Sequence, residues 1–102
     1  MLVERVDFEE KPGSEAAFLN LLADHRETFL ALDGCLSVSF GGGVENPSKF
    51  LLMVGWEAIE KHRVAGKNPT EGMKRFQQGM AEHVARPPSM EHFVLSAAPG
   101  TV

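Results

Sequence analysis

The stretch Phe50-Leu51-Leu52-Met53-Val54-Gly55-Trp56-Glu57-Ala58-Ile59-Glu60-Lys61-His62 constrains the fold of this chain more than any other. Successive side chains of an extended segment point to opposite faces, so Phe50, Leu52, Val54 and Trp56 share one face and Leu51 and Met53 the other. A strand of a small antiparallel sheet ordinarily buries one face and wets the other. Here both faces need a cover. A chain of 102 residues forms one domain and can supply helices for one face. A second copy is the expected cover for the other.

The remaining sequence falls into elements around this strand. Leu2 to Glu9 reads as a strand with Leu2, Val6 and Phe8 on one face and Arg5, Asp7 and Glu9 on the other. After the Pro12-Gly13 turn, Ser14 is placed to cap a helix whose apolar stripe is Phe18, Leu21, Leu22, His25, Phe29 and Leu32. Asp33-Gly34 closes that helix. Leu36, Val38 and Phe40 then alternate with Cys35, Ser37 and Ser39 as a second strand, followed by a loop from Gly41 to Ser48. Beyond the Phe50–Trp56 strand, a helical segment starts near Glu57, pauses at Gly66-Lys67-Asn68-Pro69 and resumes after Thr70, a second expected cap. The resumed helix carries Met73, Phe76, Met80 and His83 or Val84 on one stripe and stops before Pro87-Pro88. Glu91 to Ser96 is the last strand, and Ala97 to Val102 a tail. The order is βαββαβ, which defines an α+β, ferredoxin-like domain over residues 1–96: an antiparallel four-stranded sheet with its helices on one face. The apolar Leu51 and Met53 on the bare face suit a homodimer formed sheet to sheet.

Composition excludes several functions. The formal net charge is −4 and no run of Lys and Arg occurs, which argues against nucleic acid as a partner. Cys35 is the single cysteine, so the chain has neither an internal disulfide nor a thiolate metal cluster. A buried, inert thiol is the expectation for it, compatible with a reducing cytoplasm. The N-terminal segment is charged and alternating rather than signal-like, and no apolar run has the roughly 18 residues of a membrane span. The expected setting is cytoplasmic, away from membranes.

Three histidines and the tryptophan are the candidate functional groups. His25 lies within the first helix's apolar stripe, His83 ends the stripe of the last helix, and His62 follows Trp56 by six residues. If both stripes face the sheet, His25 and His83 point into one space between helices and sheet. There either could act as general base near neutrality. The plainer alternative for each is a buried histidine with a single hydrogen-bonding partner. Trp56, at the end of its strand, is either a core residue or a wall for a planar aromatic ligand. Phe18, Phe29, Met73, Phe76 and Met80 would extend that wall, with His62 beside it, or else form ordinary core. No metal site is expected, since no pair of histidines is spaced four apart with a third ligand near. The Gly41-Gly42-Gly43 run lacks both the following helix and the lysine of a phosphate-binding loop, and reads as a turn.

With these elements the chain resembles the antibiotic biosynthesis monooxygenase family, the dimeric α/β barrel domains. The likeness rests on the βαββαβ order, on the Val54-Gly55-Trp56-Glu57 core of the strand-to-helix segment, on the Met73–Val84 helix, and on His92-Phe93-Val94-Leu95 after a double proline. The resemblance implies a dimer and a pocket for an aromatic substrate. Relatives of this kind include cofactor-independent oxygenases of aromatic polyketides, quinol monooxygenases and haem degraders. The haem degraders use an asparagine on the first strand, a tryptophan after the third and a histidine on the last helix. Trp56 fits the second of these. The first strand offers Asp7, the position ten residues after Trp56 is Gly66, and His83 is out of register, so haem cleavage is not expected. The tyrosine associated with polyketide oxygenases has no counterpart, because the chain contains none.

The expected function is therefore a cofactor-independent monooxygenase of a small aromatic or quinol-type molecule, with His25 or His83 removing the substrate proton and the aromatic wall holding the ring. Two other classes stay open: a module that binds a hydrophobic metabolite or haem without turnover, and a structural dimer without ligand.

Overall fold

The computed structural model describes residues 1–96, so the expected tail at 97–102 lies outside the described residues. Eight elements follow in order: β1 (Leu2–Glu9), α1 (Glu15–Asp24), α2 (Arg26–Leu30), β2 (Cys35–Gly42), β3 (Lys49–Trp56), α3 (Ile59–Lys67), α4 (Glu71–His83) and β4 (Ser89–Val94). The strands form one sheet in the order β2-β3-β1-β4, and every neighbouring pair is antiparallel. This is the ferredoxin-like α+β arrangement expected from the element order. β4 starts and ends two residues earlier than the sequence pattern suggests.

The inner face of the sheet carries the core. Val6 and Phe8 of β1 and Phe50, Leu52, Val54 and Trp56 of β3 are all buried, packed with Phe18, Leu22, Phe29, Leu32, Phe76 and Met80 from the helical layer. Each such side chain removed from water contributes about 1.5–3 kcal/mol, which makes this layer the main source of stability. Phe18 fills one end of it, with ring centroids 5.6 Å from Phe8 and 4.7 Å from Phe50.

Three local features depart from the simple periodic reading. First, the single helix expected between Ser14 and Leu32 is two helices, broken at His25 (φ −104°, ψ 9°). There the imidazole Nδ1 lies 2.9 Å from the Leu21 carbonyl, which also accepts the His25 backbone N–H at 3.2 Å. A side chain that returns to its own i−4 carbonyl competes with the helical ladder and bends it. Second, β2 bulges between Cys35 and Ser37, where the pairing skips a residue: Cys35 opposes Trp56 and Ser37 opposes Gly55. The extra residue turns Leu36 out, 56% exposed, and puts Cys35 in register with the inward Val38 and Phe40. The expected alternation, with Leu36 inward, is corrected accordingly. Third, Ser14 stands at the N-cap but makes no side-chain cap bond, whereas the Thr70 hydroxyl does accept the Met73 N–H at 3.1 Å.

Gly34 fixes the start of α3. Its φ of 82° is one that glycine adopts without strain, and a Cβ there would collide with the Lys61 side chain. The Gly34 carbonyl accepts the Glu57 N–H at 2.8 Å, and the Lys61 ammonium meets the Asp33 carboxylate at 2.9 Å. The helix bearing His62 is thereby tied to the turn before β2.

On the outer face, Leu51 and Met53 are half-buried, Phe93 is 39% exposed, and Arg5 forms a two-bonded pair with Asp7. No helix among the described residues covers this side. No helix among the described residues is long and apolar enough to cross a membrane.

Candidate functional site

Between the inner sheet face and the helices lies a cavity of about 590 Å³, within the range of small-molecule sites. β1 contributes Glu4, Val6 and Phe8; β3 contributes Leu52 and Trp56; α2 contributes Phe29. His62 and Ala65 of α3, three residues apart, present one helical face to it. Met73, Phe76, Gln77, Met80 and Ala81 of α4 do the same at spacings of three and four, and Arg86 to Pro88 form the rim before β4. The wall is mainly apolar, with Gln77 on the α4 side, Arg86 at the rim, and Glu4 and His62 at one end.

That end is built around Glu4, a buried carboxylate on the inner face of β1, 8% exposed. Its Oε1 accepts the Trp56 indole N–H at 3.0 Å and lies 3.3 Å from His62 Nε2. The His62 ring stacks on Trp56 at 4.9 Å between centroids and 16° between planes. Its other nitrogen, Nδ1, is 2.7 Å from Nε2 of His92 on β4. Sheet register explains the assembly: Glu4 is directly opposite His92 across β1–β4 and opposite Val54 across β1–β3, two residue pairs from Trp56 and so on the same face as it.

The Glu4 carboxylate is hydrogen-bonded by the indole N–H and approached by His62 Nε2 as a charge contact, while His62 Nδ1 and His92 Nε2 share one hydrogen bond whose donor is set by the tautomers. Burial pushes the His62 pKa below the usual imidazole value; the Glu4 charge opposes this and His92 reinforces it. His62 is accordingly neutral near pH 7. Glu4 Oε2 has no hydrogen-bonding partner among the described residues.

The expected site residues divide. Trp56, His62, Phe29, Met73, Phe76 and Met80 all line the cavity. Phe18 belongs to the packed end of the core instead. His25 and His83 are not brought together, and neither contributes to the lining. His25 is held by its bond to Leu21 and lies against the Phe76 ring at 5.4 Å. His83 ends α4 where the chain is stitched to β1, its carbonyl accepting the Lys11 N–H at 2.7 Å. Glu4 and His92 are the residues that the sequence reading missed. A signal existed for Glu4: it interrupts the period-two series Leu2, Val6, Phe8 on the apolar face of its strand. His92 had none, since its role depends on which residue the sheet places opposite.

Fold and cavity together define a ferredoxin-like α+β domain with a ligand-sized, mainly apolar chamber and an acid–imidazole cluster at its end. The chain belongs to the antibiotic biosynthesis monooxygenase family, whose sequence pattern matches residues 1–79. A candidate antibiotic biosynthesis monooxygenase from Bordetella bronchiseptica is 25% identical, with a TM-score of 0.84 and coverage of 94% of this chain and 98% of that one. Two solved structures share the fold at lower identity. Rv0793 from Mycobacterium tuberculosis is 15% identical, with a TM-score of 0.78 and coverage of 97% and 98%. PA3566 from Pseudomonas aeruginosa is 18% identical, with a TM-score of 0.78 and coverage of 94% of each chain. No curated protein matches the sequence.

Proposed function

We propose that this protein is an oxygenase of a small aromatic, quinol-type molecule, with Glu4 as the group that takes the substrate proton. The observation that carries the reading is the Glu4 carboxylate at the end of a mainly apolar, ligand-sized cavity, with Oε1 bonded to Trp56 and in contact with His62 and Oε2 without a partner among the described residues. A planar ring fits between Trp56 and the Phe29, Phe76 and Met80 side chains, and its hydroxyl donates to Glu4 Oε2. Deprotonation gives an electron-rich anion able to pass an electron to dioxygen. For a quinol the balance is quinol plus dioxygen to hydroxyquinone plus water, with the substrate supplying the electrons. The residues bind, orient, remove a proton and keep bulk water out. His25 and His83, first expected to be the base, give way to Glu4 and His62 because the cavity wall contains the latter pair.

We also infer a homodimer formed by the outer sheet face. The support is Leu51, Met53 and Phe93 on a sheet face that no helix among the described residues covers.

Oxygen consumption by the purified protein across hydroquinones and polycyclic phenols tests the function. Substrate-dependent uptake that disappears in Glu4→Gln is the expected result. Tight binding of these compounds with no oxygen uptake would replace the oxygenase by a binding module.

A further inference from the structure

Away from the acid–imidazole end, the cavity carries a second charged feature. Arg86 stands at its mouth, and among the described residues lining the cavity it is the one with a permanent positive charge. The chain is held in place there. The Ala85 N–H donates to the Glu9 carbonyl at 2.7 Å, Val84 pairs with Glu10 in an isolated bridge, and Pro87 and Pro88 restrict the backbone that follows. Arg86 Nε lies 3.1 Å from Glu9 Oε2, and Glu9 is not part of the cavity lining. The two terminal nitrogens of the guanidinium, with four of its five N–H groups, have no partner among the described residues.

We propose that the Arg86 guanidinium receives an anionic substituent of the ligand, so that the chamber selects an aromatic hydroxy acid, its hydroxyl toward Glu4 and its carboxylate toward the mouth. The inference rests on the reading of the chamber as a site for an aromatic ring and adds a charge at the ligand's far end. Strand geometry gives the span. Glu4, Val6 and Phe8 line the cavity from one face of β1, and Arg86 is paired with Glu9, the next residue along. The four steps from Glu4 to Phe8 cover roughly 13 Å of extended chain. That is close to the length of two fused rings with a substituent at each end, whereas a single ring reaches one end only.

Charge complementarity sets the direction. An anion at the inner end meets the buried Glu4 carboxylate; at the mouth it meets a cation. No acid besides Glu4 is found among the described lining residues, and the exposed amide of Gln77 adds neutral donors. Arg86 also borders a second recess, but Asp7 and Glu9 stand there with Lys49, so an added anion would face two carboxylates. A surface ion pair with Glu9 engages Nε alone and leaves the planar fork, whose geometry suits bidentate pairing with a carboxylate, without a role. The net charge of −4 gives the chain as a whole no attraction for anions. A preference for an acid over its neutral ester is therefore a local property of the site.

The test uses the whole protein, with 6-hydroxy-2-naphthoic acid and its neutral methyl ester as probes. Isothermal titration calorimetry at pH 7.5 gives both affinities, and quenching of Trp56, the chain's single tryptophan, reports that the ring enters the chamber. We expect wild type to bind the acid about tenfold more tightly than the ester, as a charge-assisted pair at a solvent-exposed mouth would give. Arg86→Gln should abolish that preference while keeping the ester's affinity and the melting temperature, since the Arg86 side chain is 68% exposed. Lys49→Gln removes the same charge from a nearby residue outside the cavity lining and should leave the preference intact. Equal binding of acid and ester by wild type overturns the anion site alone and leaves the aromatic chamber in place. A preference that survives in Arg86→Gln, or that falls equally in Lys49→Gln, also overturns it. Binding of neither probe removes both readings.

Discussion

Glu4 is the residue on which the fold and the chemistry make separable demands, and two substitutions separate them. In Glu4→Gln the amide oxygen still accepts from Trp56 Nε1, the bond now at 3.0 Å. That bond loses its charge assistance, about 1 kcal/mol, while the desolvation cost of a buried carboxylate is relieved by a similar amount. The net change in stability is about 1 kcal/mol or less in either direction. In Glu4→Ala the acceptor is gone. The indole N–H, on a residue 2% exposed, is then stranded, at a cost of about 1–3 kcal/mol. For a domain of this size that lowers the melting temperature by about 4 °C or more per kcal/mol. Thermal unfolding followed by circular dichroism at pH 7.5 should place Glu4→Gln near wild type and Glu4→Ala clearly below it, with oxygen uptake lost in both. If Glu4→Gln melts as low as Glu4→Ala, the charge itself holds the fold. If Glu4→Ala melts like wild type, the Trp56 bond contributes nothing. Either result refutes the reasoning.

Acid should weaken the protein through His62. Its folded pKa is depressed, so below the unfolded value of about 6.5 the unfolded chain binds a proton that the folded one refuses, and stability falls until the folded pKa is reached. The slope cannot exceed about 1.4 kcal/mol per pH unit, and the 19% exposure of the side chain keeps it below that ceiling. Urea unfolding from pH 7.5 to 5 in wild type and His62→Gln measures it; identical slopes would discount His62. Glu10 works with the opposite sign. Its carboxyl is buried with Oε2 unpartnered, and burial, then Glu15, raises its pKa, so the native state is penalised as pH rises through that pKa. Glu10→Gln should raise the melting temperature at pH 7 and lose that advantage below about pH 4, the ordinary carboxylate range. Thr70→Ala removes the bonded cap of α4 and should cost about 1 kcal/mol, read by urea unfolding, whereas Ser14→Ala, with no side-chain cap bond to lose, should cost less. Met53→Glu places a charge in the outer face and should convert the proposed dimer to monomer by light scattering, with the inner core unchanged.

The element order was legible in the sequence because periodicity reports which side chains share a face, and faces are decided locally. The two-faced strand Phe50–Trp56, the stripe Met73–Phe76–Met80 and the cap at Thr70 all have one-dimensional signatures, and together they determine a four-stranded sheet with helices on one side. Where a local interaction broke the period, the pattern misled: the His25 side chain interrupts a helix that the apolar spacing continues, and the bulge at Leu36 turns outward a leucine that alternation places inside. The site needed the tertiary structure for a different reason. Two histidines on apolar stripes looked like partners because helical spacing says which face a residue occupies, not where along the neighbouring layer it lands. Strand register brings His92 opposite Glu4, and the turn fixed by Gly34 brings His62 against it, across 30 residues of chain from His92. Hydrogen bonds between side chains so far apart leave no periodic trace; only the packed sheet decides which polar groups meet at the end of the cavity.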